Sequence, residues 1–211
     1  MSHDSSVGRV PVVPRSARVS GALAMTFPGR IELSHCTLRA WREDDAPALA
    51  MTLAANDAHL RAWTPWVVDG RVPGQSLGAR LAQHAADFAA NRAWIYGIFT
   101  CDETKVLGGC GLYARVGPTA LEIGYWLSAE STGQGLATES ASALTALAFS
   151  NPEIERVEIH CDPRNVASVR VPQRLGYRLE TVANGELGEP GAWPGVVDIW
   201  TLTRGMYMQQ R

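Results

Sequence analysis

The stretch that decides the fold is LEIGYWLSAESTGQGLATES at residues 121–140. Its first part alternates apolar residues with Glu122 and Gly124, which is the two-residue period of a β-strand. A turn with glycines at 133 and 135 then leads into a helix. The first N–H groups of a helix have no partner inside it and lie at the positive end of its dipole. The stretch therefore predicts a strand, a turn and a helix that together bind an anion such as a phosphate.

Two common phosphate motifs do not fit this turn. The dinucleotide fingerprint needs a third glycine where the chain has Thr138, and a P-loop needs a lysine followed by serine or threonine. The plain alternative is an ordinary strand-to-helix turn that uses glycine only for its backbone geometry.

Composition limits the classes of protein to which the chain can belong. With 211 residues, 46% hydrophobic and 19% charged, it has the size and balance of one globular domain plus a tail. A net charge of −2 argues against binding to bulk nucleic acid or to an anionic membrane. No apolar run approaches the roughly 20 residues that span a bilayer. The four cysteines lack metal-site spacing, so we expect reduced thiols, a cytoplasmic location and no metal.

Periodicity along the rest of the chain predicts an α/β domain. Residues 1–29 are expected to form a flexible tail, residues 30–205 the domain, and residues 206–211 a short C-terminal tail. A strand–helix–strand unit that begins with the quoted stretch predicts one right-handed parallel crossover. The predicted strands are 31–41, 94–100, 106–115, 121–127, 156–162, 177–182 and 196–204, and the predicted helices start near residues 44, 76, 133 and 163.

Tryptophans mark a candidate substrate pocket. Trp63 and Trp66 bracket a proline, and such side chains form either a structural lid or an aromatic wall for a ligand. Trp193, in a loop rich in glycine and proline, is a third candidate for the same pocket.

Three separated segments resemble the GNAT superfamily of acyl-CoA-dependent N-acetyltransferases, and most closely the group that acetylates the N-termini of ribosomal proteins. They are LRAW at 38–41 with its following acidic pair, EIGYWL through GQGLATE at 122–139, and NVAS at 165–168 with LGY at 175–177. The resemblance implies a GNAT fold, with a mixed, mostly antiparallel sheet of about six to seven strands and about four helices. The fourth and fifth strands would be parallel and would splay apart.

The same resemblance implies which residues bind acetyl-CoA. Backbone N–H groups near Trp126 and Leu127 would hold the pantetheine arm, with Asn165 bonding its amides or, in the plain reading, only capping a helix. The pyrophosphate would lie on the turn formed by Thr132, Gly133, Gln134, Gly135, Leu136, Ala137 and Thr138. Thr132 stands where the family usually has glutamine or arginine, so the guanidinium contribution is missing here.

Two catalytic roles follow from the resemblance. Glu122 would take the proton of the amine, directly or through water, and Ser168 would donate a hydrogen bond to the departing thiolate. The alternatives are an ion-paired strand glutamate and an ordinary helix serine. Pro172, four residues after Ser168, has no N–H and frees the Ser168 carbonyl, which predicts a kinked or shortened helix.

The predicted function is transfer of an acetyl group to a primary amine, and the leading prediction for that amine is a protein or peptide N-terminal α-amine. The protein is expected to be a monomer or homodimer. Acetylation of a small amine such as a polyamine, amino acid or aminoglycoside, and non-catalytic sensing of acyl-CoA, remain open. A Ser–His–Asp hydrolase built on His160 and Asp162 is rejected, because the chain has no Gly-x-Ser-x-Gly elbow.

Overall fold

A computed structural model describes residues 26–64, 75–184 and 196–211. The strands are β1 Arg30–Glu32, β2 Thr37–Ala40, β3 Ala93–Phe99, β4 Val106–Tyr113, β5 Ala120–Leu127, β6 Arg156–Cys161, β7 Arg178–Asn184 and β8 Val196–Thr203. These eight strands form one sheet, in the order β1-β2-β3-β4-β5-β6-β8-β7. The helices are α1 Ala46–Ala55, α2 Asp57–Arg61, α3 Leu77–Ala89, α4 Leu136–Ser150, α5 Val166–Arg174 and α6 Arg204–Gln209.

The predicted mixed sheet is confirmed. β5 and β6 pair in parallel, and each of the other pairings is antiparallel. The sheet has one strand more than the upper end of the prediction, because residues 31–41 form a hairpin where one strand was expected. Its turn is closed by the Leu33 N–H, which donates to the Cys36 carbonyl at 2.9 Å. The apolar positions change phase across this turn, from Ile31 and Leu33 before it to Cys36 and Leu38 after it, and the prediction of one strand overlooked that change.

β5 separates two apolar clusters. Leu121 and Ile123 are buried in the larger cluster, against the apolar side of α4. Trp126 packs against the smaller cluster, which contains buried leucines of α1, α2 and α3. The alternation of β5 therefore gives each face of this strand its own layer of helices.

The C-terminal end of α4 is closed by a residue from the end of the chain. The guanidinium of Arg204 donates to the carbonyls of Ile154 at 2.9 Å, Phe149 at 3.0 Å and Asn151. Tyr207 of α6 stacks on Phe149 with ring centroids 4.8 Å apart. Residues 206–211, predicted as a tail, thus include part of a packed helix.

The N-terminal boundary is also earlier than residue 30, since Phe27 is buried and meets Trp94 edge to face. Residues 1–25 lie outside the described part of the chain. Within the described ranges, none of the helices combines the length and the apolar character that crossing a bilayer requires.

Candidate active site

A gap opens where β5 and β6 part. Their parallel ladder runs from the pair Ala120–Arg156 to the pair Ile123–Ile159 and ends there. Both strands continue, to Leu127 and Cys161, held on their outer edges by β4 and β8. The last part of β5 therefore has a ladder on one side only, among the residues that the structure describes. These are the two strands whose separation the sequence analysis predicted.

Glycines in β4 fix the position of Trp126 beside this gap. A Cβ atom at Gly109 would lie 2.6 Å from the indole Nε1 of Trp126, and one at Gly108 would collide with its carbonyl oxygen. Only glycine allows β4 and Trp126 to approach so closely. The glycines at 108 and 109 thus mark a close approach between β4 and the end of β5.

The predicted phosphate turn lies at the start of α4 and is open. Gly133 and Gly135 have φ angles of 75° and 83°, in the left-handed region that favours glycine. Nothing lies within 4 Å of a Cβ built on either residue. Gly135 is the N-cap of α4, and no side chain caps this helix. Its first N–H groups are therefore left for water or a ligand.

Side chains of the turn stabilise its own backbone. The Thr132 hydroxyl donates to the Ala129 carbonyl at 2.7 Å, and the Gln134 amide donates to the Glu130 carbonyl at 2.7 Å. A threonine hydroxyl has one hydrogen to donate, so that of Thr132 is already used. The hydroxyl therefore shapes the loop. Leu136 is buried, while Ala137 and Thr138 are half-buried.

A second contact ties the turn to the helices on the other side of the sheet. The Asn56 side chain, between α1 and α2, accepts the Ala129 N–H at 2.8 Å.

Trp63, two residues after α2, is half-buried. Trp66 and Trp193, the other two predicted pocket residues, lie outside the described residues.

α5 begins beside the gap with a side-chain cap. The side-chain oxygen Oδ1 of Asn165 accepts the Ser168 N–H at 3.1 Å, which leaves the side-chain NH2 group of Asn165 outside the cap. Pro172 lies within α5 and is buried, and the helix continues to Arg174. Pro172 therefore does not end the helix, which continues for two residues beyond it.

Ser168 meets Tyr125 of β5. The Tyr125 hydroxyl lies 3.0 Å from the Ser168 carbonyl oxygen and 3.1 Å from Ser168 Oγ. Burial raises the pKa of Tyr125 well above its usual range, so the side chain remains a hydroxyl. Burial also raises the pKa of the nearby Cys161 thiol to about 12, although Ser168 opposes this shift. Cys161 is therefore a neutral thiol near pH 7, and a poor nucleophile.

Glu122 belongs to a buried charged network on the face of β5 opposite to Leu121 and Ile123. Arg115 donates to both carboxylate oxygens, at 2.8 Å and 2.6 Å. On β6, His160 Nε2 lies 2.6 Å from Glu158 Oε2, and His160 Nδ1 lies 3.9 Å from Glu122 Oε2. The Glu122 side chain is only 7% exposed. Glu122 thus lies on the face of β5 opposite to the apolar residues, as the alternation predicts, and it is ion-paired with Arg115.

Sequence reasoning missed most of this network. Glu158 and His160 are two residues apart on one strand face, and Glu122 is paired with Glu158 in the parallel ladder. That spacing was visible, but the sequence does not give the register of β5 against β6. Arg115 follows β4 and reaches Glu122 only because the β4–β5 connection folds back. Asp162, considered with His160 for a hydrolase, instead accepts hydrogen bonds from Arg164.

The splayed parallel strands and the glycine turn before α4 are the features expected of a GNAT fold. The chain belongs to the acetyltransferase (GNAT) domain family, which it matches over residues 35–178.

Similar proteins carry acetyltransferase names. The [Ribosomal protein uS5]-alanine N-acetyltransferase of Escherichia coli is 25% identical over 166 residues, covering 78% of this chain and 86% of that protein. The "Probable N-acetyltransferase YjcK" of Bacillus subtilis is 27% identical over 117 residues, which is 54% of this chain and 64% of the length of YjcK. A structure of RimL, titled a ribosomal L7/L12 alpha-N-protein acetyltransferase in complex with coenzyme A, superposes with a TM-score of 0.71 and 24% identity, covering 84% of this chain and 99% of RimL.

Proposed function

We propose that the protein is an acetyl-CoA-dependent N-acetyltransferase that acts on a protein or peptide N-terminal α-amine. The observation that carries this proposal is the gap between β5 and β6 together with the uncapped, glycine-lined start of α4. The similar E. coli protein is named for an alanine of a ribosomal protein, and RimL was solved with coenzyme A. The first name supports an N-terminal α-amine as the acceptor, and the second supports acetyl-CoA as the donor. The four reduced cysteines agree with a cytoplasmic location.

Acetyl-CoA would lie across the gap as the acyl donor. The N–H groups of residues 133–138 would bind its pyrophosphate at the positive end of α4. Backbone groups of Trp126 and Leu127, beyond the end of the ladder with β6, would bind the pantetheine arm. The amide group of Asn165 would donate to the same arm, because the helix cap uses only its carbonyl oxygen.

Glu122 would act on the acceptor amine. In a direct transfer, the amine nitrogen bonds to the acetyl carbon, the carbon–sulfur bond breaks, and the nitrogen loses one proton. An α-amine has a pKa near 8 and needs only a weak base. The Arg115 guanidinium stabilises the charged carboxylate, and a carboxylate oxygen can accept more than one hydrogen bond. Ser168 would donate a hydrogen bond to the thiolate that leaves.

The charge balance of the network favours a monoamine over a polyamine. Glu122 is paired with Arg115, and Arg156 Nε lies 2.7 Å from Glu158 Oε1. A polyamine carries several positive charges and needs carboxylates that are not already neutralised. Within the described residues, the two carboxylates of this face each have a guanidinium nearby, which supports an acceptor with one reactive amine.

A thiol-release assay tests the function directly. Purified protein is mixed with acetyl-CoA and, separately, with peptides that begin with alanine or serine, the same peptides with blocked N-termini, and a set of polyamines and aminoglycosides. We expect release with the free peptides only. Release with small amines alone would support the alternative acceptor class. Calorimetric binding of acetyl-CoA with no release on any acceptor would contradict an enzyme and support a sensor.

The role of Glu122 is tested by Glu122→Gln with Glu155→Gln as the matched control. The Glu155 side chain is exposed and, among the described residues, accepts a hydrogen bond from Thr119 alone, at 3.2 Å, so its loss should change little. Because a general base typically contributes 10²–10⁴-fold, we expect Glu122→Gln to lower kcat/KM by about 100-fold. Acetyl-CoA affinity, measured by calorimetry, should stay within about twofold. A loss of less than about threefold would remove Glu122 as the base.

A further inference from the structure

The carbonyl of Ser168 lacks its usual partner inside α5. In a helix this oxygen accepts the N–H of the residue four positions later, and that residue is Pro172, which has no N–H. The Tyr125 hydroxyl lies 3.0 Å from the same oxygen. A side chain of β5 thus replaces the missing helical bond, and it does so beside the gap between the splayed strands.

Tyr125 has two acceptors on one residue. Its hydroxyl lies at nearly equal distances from the Ser168 carbonyl and from Ser168 Oγ, 3.0 Å and 3.1 Å, and it carries a single hydrogen. When that hydrogen points to the carbonyl, the phenol oxygen can accept from the serine. When it points to Oγ, the hydrogen of Ser168 is free to point elsewhere. The two arrangements differ only by rotation of two O–H bonds.

We propose that Tyr125 is a positioning residue that orients the Ser168 hydroxyl toward the departing sulfur of the thioester. This role rests on the proposed function. As negative charge develops on the sulfur, two successive hydrogen bonds become favoured, one from Tyr125 to Ser168 Oγ and one from the Ser168 hydroxyl to the sulfur. They are favoured together because successive hydrogen bonds strengthen one another. The interaction is then stronger in the transition state than with bound substrate, which raises kcat and leaves the donor KM unchanged. No proton leaves Tyr125 in this scheme.

Tyr125→Phe tests the role, with Tyr177→Phe as the matched control. Tyr177 is also buried, and its hydroxyl makes a 2.7 Å hydrogen bond to Thr145 and none to Ser168 among the described residues. We expect Tyr125→Phe to lower kcat about tenfold with the KM for acetyl-CoA within about twofold. Tyr177→Phe should lower the melting temperature and leave kcat within about twofold.

A second pair of variants separates positioning from a purely structural role. Pro172→Ala introduces an amide that can donate to the Ser168 carbonyl. In the double variant Tyr125→Phe/Pro172→Ala, this new bond should restore the melting temperature that Tyr125→Phe loses. Turnover should remain about tenfold low, because the Ser168 hydroxyl still lacks its partner. Recovery of kcat together with the melting temperature would overturn the proposal, since it would mean that Tyr125 serves only the carbonyl.

A double-mutant cycle completes the test. If Tyr125 acts through Ser168, Tyr125→Phe should not lower kcat further in a Ser168→Ala background, whereas independent roles would multiply. An additional tenfold loss there, or full activity of Tyr125→Phe alone, would overturn the positioning role and leave the proposed function intact. Absence of thiol release by the unmodified protein on every acceptor would instead overturn the proposed function and this role with it.

Discussion

α4 and α5 border the same gap but begin in different ways. α5 has a polar N-cap, Asn165, whose side chain satisfies one of the first N–H groups. α4 has Gly135 in the left-handed conformation and no capping side chain, although a serine or threonine there would stabilise an isolated helix. The difference indicates that a side chain stabilises the first turn of α5 but not that of α4, where a ligand is expected to supply the missing acceptors.

The largest expected effect comes from placing a negative charge at the start of α4. Gly135→Asp adds a carboxylate that repels the pyrophosphate, and aspartate tolerates positive φ better than most residues. We expect acetyl-CoA affinity to fall about 100-fold, which corresponds to about 2.7 kcal/mol. Calorimetric titration measures it.

Gly135→Asn is the control for this change, because asparagine has the same shape and backbone tolerance but no charge. Its affinity should fall less than about fivefold. Equal losses in both variants would show that side-chain bulk, and not the charge, causes the effect, and the contrast between the two helices would lose its electrostatic basis.

A smaller effect is expected at α5, where one residue has two proposed roles. Asn165→Ala removes the cap and should cost about 1 kcal/mol of unfolding free energy. Asn165→Ser keeps a capping oxygen but lacks the amide group proposed to bind pantetheine. We therefore expect both variants to bind acetyl-CoA about fivefold more weakly, and only the alanine variant to melt earlier. Normal affinity in the serine variant would leave Asn165 as a helix cap alone.

The smallest effect is a gain of affinity at the turn. Thr132→Arg supplies the guanidinium that this chain lacks, and we expect acetyl-CoA to bind about threefold more tightly at low ionic strength. The gain should vanish toward 1 M salt, because exposed charges are screened there. Thr132→Gln, which loses the same hydroxyl bond to Ala129 without gaining charge, should show no salt-dependent gain. A gain that is insensitive to salt would contradict the electrostatic explanation.

Much of the fold was predictable because its signals are local. The alternation in β5 and the glycines that follow it determine a strand, a turn and a helix within 30 residues. The free carbonyl of Ser168 was also predictable, since it follows from the chemistry of Pro172. Its partner was not, because Tyr125 is 43 positions away in the sequence.

Features that depend on register or on distant packing could not be read from the sequence. The ion pair of Glu122 needs the connection after β4 to return Arg115 to the start of β5. The hairpin within residues 31–41 shows in the sequence only as a one-residue change of phase near His35, which is too short a signal to predict a turn. The packing of α6 depends on Phe149, which is far from it in sequence. The roles of the site residues stay predictions until the variants above are measured.

The contact of Arg204 with the end of α4 sets a practical limit on shortening the protein. Removal of residues from 204 onward would leave three carbonyls, in the last turn of α4 and in the connection that follows it, without the guanidinium that now satisfies them. Phe149 would also lose its stacking partner. A deletion chosen from the predicted C-terminal tail would begin inside α6. A minimal version of the domain for crystallisation or labelling should therefore keep this helix and be trimmed ahead of Phe27.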